Sequence, residues 1–313
     1  MNTKTCIIIV GPTAVGKTSF AIQLAQHFHT SIISADSRQC FIELNIGVAK
    51  PFMAELHAVK HYFINSHHIQ EDVNAALFEK LALQWGEEIF KEHDVVVMVG
   101  GTGLYVKAFA EGLDDVPPTH PAVRREIISK YEVGGLKWLQ NELERIDPKF
   151  AATGEMQNPQ RMMRALEVKM ISGKSIFSYQ SSKGKNRSFK IIKIGLQLPR
   201  EILYERINNR VVDMMKEGLL DEAKSLYPFR DLNALQTVGY TELFAFFDGK
   251  MDLTESVDLI KQNTRHYAKR QLTWFKKDES IHWLNAAEMS ASIEFVDNLI
   301  GRPVDPGQEK FPE

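Results

Sequence analysis

The chain has 313 residues, 44% of them hydrophobic and 25% charged, the composition of an ordinary globular protein with a sizeable core spread over about two domains. A formal net charge of −2 gives no whole-molecule attraction for nucleic acid, so any such contact has to be local. Two cysteines, Cys6 and Cys40, do not make a disulfide framework, and the first apolar run, residues 6–10, is too short for a signal-peptide core or a membrane span; the expectation is a cytoplasmic protein with no membrane partner.

In chain order, residues 6–10 read as a buried strand, followed by a glycine-rich turn and then apolar residues at helical period over 19–28. The turn, Gly11-Pro12-Thr13-Ala14-Val15-Gly16-Lys17-Thr18, fits G-x-x-x-x-G-K-[ST] in the strand-to-helix context that this motif requires. Its backbone N–H groups can wrap phosphate oxygens, and the helix N-terminus adds positive potential. Lys17 is thereby expected on the terminal phosphates and the Thr18 hydroxyl on a magnesium ion.

Residues 31–34 read as a second strand delivering Asp36, 75–90 as a helix, and 94–99 as a third strand closing in Gly100-Gly101-Thr102-Gly103. Apolar strands alternating with helices predict an α/β fold: a P-loop NTPase-like parallel sheet with helices on both faces and ligands at the carboxyl ends of the strands. Gly11, Asp36 and Thr102 all fall on that edge.

The pattern changes at Asp114-Asp115-Val116-Pro117-Pro118, and from Pro121 to about Met170 it is helical, with stops at Gly134-Gly135 and Gly154. Residues 114–188 are therefore read as a helical insertion between a first core segment, 1–113, and a second, 189–302. In the second segment 189–198 is a strand, and 200–227 and 256–277 are helices. The Ser/Lys/Gly-rich stretch 178–188 predicts a mobile loop, and 303–313 a disordered tail.

Charge is segregated. Residues 160–193 carry nine Lys or Arg against Glu167 alone, and 261–277 carry six with no acid. Such runs form either a basic face for a polyanion or simply solvated surface.

A nucleotide hydrolase of this class places an aspartate after a later strand to hold magnesium, whereas 95–99 runs into Gly100-Gly101-Thr102-Gly103. The missing carboxylate disfavours ATP hydrolysis and favours a transfer in which the loop holds the diphosphate of a leaving group. Thr102 then offers a hydroxyl near the reacting centre or caps the next helix, and spacing supports both equally. Asp36 can accept a proton from an incoming nucleophile, as it also could in a small-molecule kinase, or cap a turn. Arg206 and Arg210, one helical turn apart, can point together at developing phosphate charge or stand as surface charges. His57, His61, His67 and His68 lack the spacing of a zinc site.

Taken together, Gly11-Pro12-Thr13-Ala14 with Gly16-Lys17-Thr18, Asp36-Ser37 with Gln39, Ala49-Lys50-Pro51, and Gly100-Gly101-Thr102-Gly103-Leu104-Tyr105 resemble the bacterial tRNA dimethylallyltransferases. The likeness continues at Pro159-Gln160-Arg161, Arg164-Ala165-Leu166-Glu167-Val168, Gly239-Tyr240, Thr264-Arg265, Ala268-Lys269-Arg270-Gln271 and Thr273-Trp274, nearly the whole chain. It departs at Val15, Val48 and Gln157-Asn158, where a small polar residue, a threonine and an acidic residue are usual.

The resemblance implies dimethylallyl diphosphate as donor, Mg²⁺ as cofactor, and as acceptor the N6 of the adenosine 3′-adjacent to the anticodon in tRNA. It implies Asp36 as proton acceptor, with Lys17, Thr18 through magnesium, and Arg210 stabilising the diphosphate held by residues 11–18. Thr102 would stand at the channel between donor and base. It further implies tRNA contacts from Asp36, Ser37, Arg38, Gln39, Thr102, Arg124, Gln160, Arg161, Met162, Met163 and Arg164, with Ser37 and Gln39 reading a flipped adenine. Arg265, Lys269 and Arg270, interleaved with Tyr267 and Trp274, would add phosphate contacts. A monomer is expected.

Three other readings share part of these signals. A relative that prenylates free AMP or ADP needs neither the insertion nor the basic 160–193 stretch. A small-molecule kinase needs an adenine-binding and lid arrangement, for which the sequence has no signal. A non-catalytic RNA-binding module leaves the complete phosphate loop without a purpose.

Overall fold

The computed structural model describes residues 4–180, 184–287 and 289–301. The predicted tail, 303–313, and positions 181–183 of the predicted mobile loop lie outside them. The chain forms two compact units, one made of Met1–Glu111 with Asn186–Glu313 and the other of Gly112–Lys185. The sequence reading had put the second unit at 114–188.

The first unit begins with β1 (Thr5–Val10), buried at every position, and passes through the phosphate loop into α1 (Lys17–His27). Then come β2 (Ile32–Ser34), the short α2 (Met53–Ala58), and β3 (His61–Tyr62). The helix α3 (Ala75–Glu92) is capped by Asn74, whose side chain accepts from the N–H groups of Ala76 and Leu77. It precedes β4 (Val95–Val99), all valine or methionine and all buried, and α4 (Gly103–Glu111).

The second unit is helical: α5 (Pro121–Ile146), α6 (Pro148–Thr153) and α7 (Pro159–Ser172). Each starts on a proline, whose fixed φ and missing N–H suit a first helical turn. The predicted stop at Gly134-Gly135 is a kink inside α5, where Gly135 takes φ 60° and ψ −162°. Ile127, Leu139, Leu143, Phe150, Met162, Met163 and Leu166 form its core.

The first unit resumes with β5 (Lys190–Gln197), α8 (Arg200–Lys216), α9 (Leu219–Leu226), α10 (Tyr240–Phe247), α11 (Leu253–Phe275), β6 (Ile281–Asn285) and α12 (Met289–Ile300). The single helix predicted over 200–227 is two, because the chain turns at Gly218 with φ 103°. The six strands are all parallel in the order β3-β2-β4-β1-β5-β6. Their carboxyl ends therefore lie on one edge, with β1 central. Among the described residues no helix is long and apolar enough to cross a membrane.

Candidate active site

Backbone hydrogen bonds stitch the loops after β1, β2 and β4 together at that edge. Gly100 N–H donates to the Ile9 carbonyl (3.1 Å), Ala35 N–H to Val99 (2.7 Å) and Thr102 N–H to Ala35 (3.2 Å). Gly11 leaves β1 with φ 143°, and a Cβ there would stand 2.6 Å from the Leu196 carbonyl oxygen, so the phosphate loop can start this way only on glycine.

Not every residue of the loop can serve a phosphate. Pro12 has no N–H, and its carbonyl accepts from Lys17 Nζ at 2.8 Å. Thr13 N–H is directed away, donating to Gln271 Oε1 at 2.8 Å. Val15 anchors its side chain in the core at 1% exposure. The groups that remain to grip a diphosphate are the backbone N–H groups running into the start of α1, the Lys17 ammonium and the Thr18 hydroxyl. Burial pushes Lys17 down to about 7; the Asp36 carboxylate opposes that fall and Arg210 adds to it.

Asp36 follows β2. Its Oδ1 accepts from the N–H groups of Arg38 (2.9 Å) and Gln39 (3.3 Å), so the carboxylate does cap a turn. Asp36 also lines a cavity. Thr102 does not cap α4 with its side chain: its hydroxyl accepts from Ser37 N–H (3.0 Å) and lies 3.4 Å from the Ser37 hydroxyl. Its carbonyl serves the helix, accepting from Tyr105 and Val106 N–H. The Tyr267 hydroxyl bonds to Thr102 as well, and its pKa is pushed up to about 12, first by burial and then by the Asp36 charge.

The cavity beside these groups has a volume of about 130 Å³. Its charged lining is Asp36, Arg38 and Arg210, with the hydroxyls of Thr13, Thr237, Thr264 and Tyr267. Among its apolar side chains, α8 contributes Ile207, Val211 and Met214, α9 Leu219, and α11 Ile260. Burial lowers the pKa of Arg210, against the pull of Asp36, and its Nη2 reaches the Ala49 carbonyl at 3.5 Å. Arg206 is exposed and does not join it, so of the two readings of this pair Arg206 follows the surface-charge one.

Two braces escaped the sequence reading. Gln271 of α11, 5% exposed, takes the Thr13 N–H on its oxygen and donates to the Gly101 carbonyl (3.0 Å), tying the phosphate loop to the Thr102 loop. Glu222 of α9 accepts from Ile46 N–H (2.8 Å), Gly47 N–H (2.9 Å) and the Tyr240 hydroxyl (2.7 Å), which holds the cavity wall at Gly47. Gln39, expected to read a base, donates its amide to the carbonyls of Ala49 (3.0 Å) and Val48 (3.3 Å).

On the second unit the expected RNA contacts divide. Met162 and Met163 are 0% and 4% exposed in its core, so they are corrected from contacts to packing residues: helical period turns them inward. Arg164 is spent internally on Glu167, itself fully buried, at 2.8 Å, and on the Pro117 carbonyl. Arg161, paired with Glu155, and Gln160, bonded to Arg124 at 2.9 Å, are exposed.

Among the described residues no group of three His, Cys, Asp or Glu side chains could hold a metal. Three of the four histidines have separate partners: His61 bonds to the Val59 carbonyl, His67 to Ser66 and His68 to Glu43. The residue that could hold magnesium is Thr18 through its hydroxyl, since that ion keeps most of its water and needs few protein oxygens.

The sequence model of the IPP transferase family matches residues 39–278. The tRNA dimethylallyltransferase of Christiangramia forsetii is 49% identical over 295 residues, covering 94% of this chain and 98% of that one. The tRNA dimethylallyltransferase 1 of Bacteroides thetaiotaomicron is 44% identical over 292 residues, 93% and 95% of the two chains. Among solved structures, the full-length tRNA isopentenylpyrophosphate transferase of Bacillus halodurans superposes with a TM-score of 0.70 at 35% identity, covering 95% of this chain and 97% of that one. A eukaryotic dimethylallyltransferase acting on tRNA gives 0.75 at 27% identity, covering 99% and 82%.

Proposed function

This chain belongs to the IPP transferase family, and from that premise we propose that it is a tRNA dimethylallyltransferase, moving a dimethylallyl group from dimethylallyl diphosphate to N6 of the adenosine 3′-adjacent to the anticodon. The observation that carries the donor is the cavity. It brings Arg38 and Arg210 together with apolar side chains of α8, α9 and α11 in a volume of about 130 Å³. An apolar cavity of ~150 Å³ holds a six-carbon ring, so this one suits a five-carbon chain.

In the reaction the adenine N6 attacks the allylic carbon, the bond from that carbon to the diphosphate oxygen breaks with its electron pair leaving on diphosphate, and the N6 proton passes to Asp36. Lys17 and the N-terminus of α1 hold the leaving group, and Arg210 faces its growing charge from α8. Thr18 would hold magnesium, whose positive charge neutralises the diphosphate when bound. Thr102, fixed by Ser37 and Tyr267, positions the base beside Asp36. The adenosine has to leave its stack to get there, which costs a few kcal/mol and is easiest in a loop. Exposed Gln160 and Arg161 supply RNA contacts from the second unit, and Arg38 lies at the cavity. We place the reaction in the cytoplasm, with the protein acting as a monomer.

The test is transfer of labelled dimethylallyl diphosphate, with Mg²⁺, to an anticodon stem-loop carrying adenosine 3′ to the anticodon or, in parallel, to AMP. Label in the RNA alone is the expected outcome. Label in AMP would move the assignment to a mononucleotide acceptor, and label in neither would remove the prenyl transfer.

A further inference from the structure

The cavity that suits the prenyl chain also has a structure along its length. Its reacting end is marked by Asp36, Arg38, Arg210 and Tyr267. Met214 lies one helical turn beyond Arg210 on α8, about 6 Å along the axis, and Ile260 two turns back from Tyr267 on α11, about 10 Å. Tyr267 feels the Asp36 charge, so the step along α11 leads away from the carboxylate. On the apolar wall Val211 and Ile260 are 2% exposed and Leu219 is 0% exposed, so they are backed by packed core that yields only at a cost. Met214 lines the cavity and is half-buried, as Gly47, Val48, Ala49, Thr237, Val238 and Thr264 are, but of these it has the longest and most flexible side chain.

We propose that Met214 sets the length of prenyl chain this site accepts, closing the cavity after five carbons. The inference rests on the prenyl-transfer reading above and adds to it the residue that selects the donor. A ten-carbon chain needs five more carbons of room than about 130 Å³ provides, and the rigid walls do not supply it. Met214→Ala removes three heavy atoms at a half-buried wall position that carries a long flexible side chain, so a longer tail can pass through. The same step then runs on a longer donor: N6–carbon bond formed, carbon–diphosphate bond broken, proton to Asp36.

The experiment compares dimethylallyl diphosphate with geranyl diphosphate, wild type against Met214→Ala, on the same anticodon stem-loop. Wild type is expected to favour the five-carbon donor by about 100-fold or more in kcat/KM, and Met214→Ala to narrow that ratio at least about tenfold by gaining on the ten-carbon donor. A second variant works in the opposite direction. Met214→Trp fills the cavity and should lose five-carbon transfer about tenfold or more while inorganic pyrophosphate binds within about twofold of wild type. An active Met214→Ala that keeps the wild-type ratio, or a Met214→Trp that transfers the five-carbon chain at the wild-type rate, overturns the role. Wild-type protein that moves neither chain overturns the transfer reading itself, and this inference with it.

Discussion

Lys17 gives a test that needs no turnover. Burial in the phosphate loop holds its ammonium at about 7, against 10.5 for an ordinary lysine. At pH 7 about half the molecules therefore carry a neutral Lys17, at pH 8 about nine-tenths, and at pH 6 about one-tenth. A bound diphosphate brings negative charge to Nζ and restores the ammonium. Binding should accordingly take up about 0.5 proton per molecule at pH 7, 0.9 at pH 8 and 0.1 at pH 6 through this one group. The assay is titration calorimetry of inorganic pyrophosphate with Mg²⁺ in two buffers of different ionisation heat, on wild type and on Lys17→Met. The ligand's own titration is common to both proteins, so the difference isolates Lys17. Equal uptake in the two proteins at pH 8, or a difference larger at pH 6 than at pH 8, would refute the reasoning. The same shift carries a stability sign: between pH 7 and 10.5 the unfolded chain holds a proton that folded Lys17 lacks, so this group makes stability rise with pH across that window.

Other expectations follow from single side chains. Asp36→Asn keeps an Oδ1 for the N–H groups of Arg38 and Gln39, so the variant should melt like wild type yet lose ~10²–10⁴-fold in kcat; retained turnover would end the proton-acceptor role. Gln271→Leu strands the Thr13 N–H and the Gly101 carbonyl, at ~1–3 kcal/mol each, and should lower Tm and raise KM for the diphosphate donor more than for RNA. Met162→Ala should destabilise the helical unit by ~2–5 kcal/mol, read by thermal unfolding, with RNA affinity of the folded fraction unchanged. Arg161→Ala should lower the slope of log affinity against log salt by about 1 for an anticodon stem-loop, and an unchanged slope would take Arg161 off the binding surface.

How much of this was legible in the sequence depended on whether the signal was local. The phosphate loop is contiguous and its physics is backbone geometry, so residues 11–18 could be found by spacing alone. Strands β1 and β4, buried at every position, announce themselves as unbroken apolar runs. β3 has two residues and β6 is only partly buried, too little pattern for either to stand out. The break at Gly218 was hidden because apolar residues continue at helical spacing on both sides. Met162 and Met163 were swept in with their charged neighbours, although the period of α7 already turned them inward. Gln271 lies 258 residues from Thr13, and Glu222 176 from Ile46. No local pattern distinguishes such a brace from any other polar residue on a helix.

Those distant contacts change how the basic helix α11 is understood. Read as a run of charge, residues 261–277 suggest a surface for phosphates. Folded, the same helix also faces the site: Ile260, Thr264 and Tyr267 line the cavity, and Gln271 holds the phosphate loop against the Thr102 loop. The spacing 260, 264, 267, 271 is one stripe of an α-helix, while Lys269 and Arg270 fall off that stripe and are exposed. One face therefore lines the cavity while the other is exposed. A charge on the inner stripe should act on KM for the diphosphate, and a charge removed from the outer face should act on the salt dependence of RNA binding. The two halves of the reaction can thus be perturbed separately within one helix.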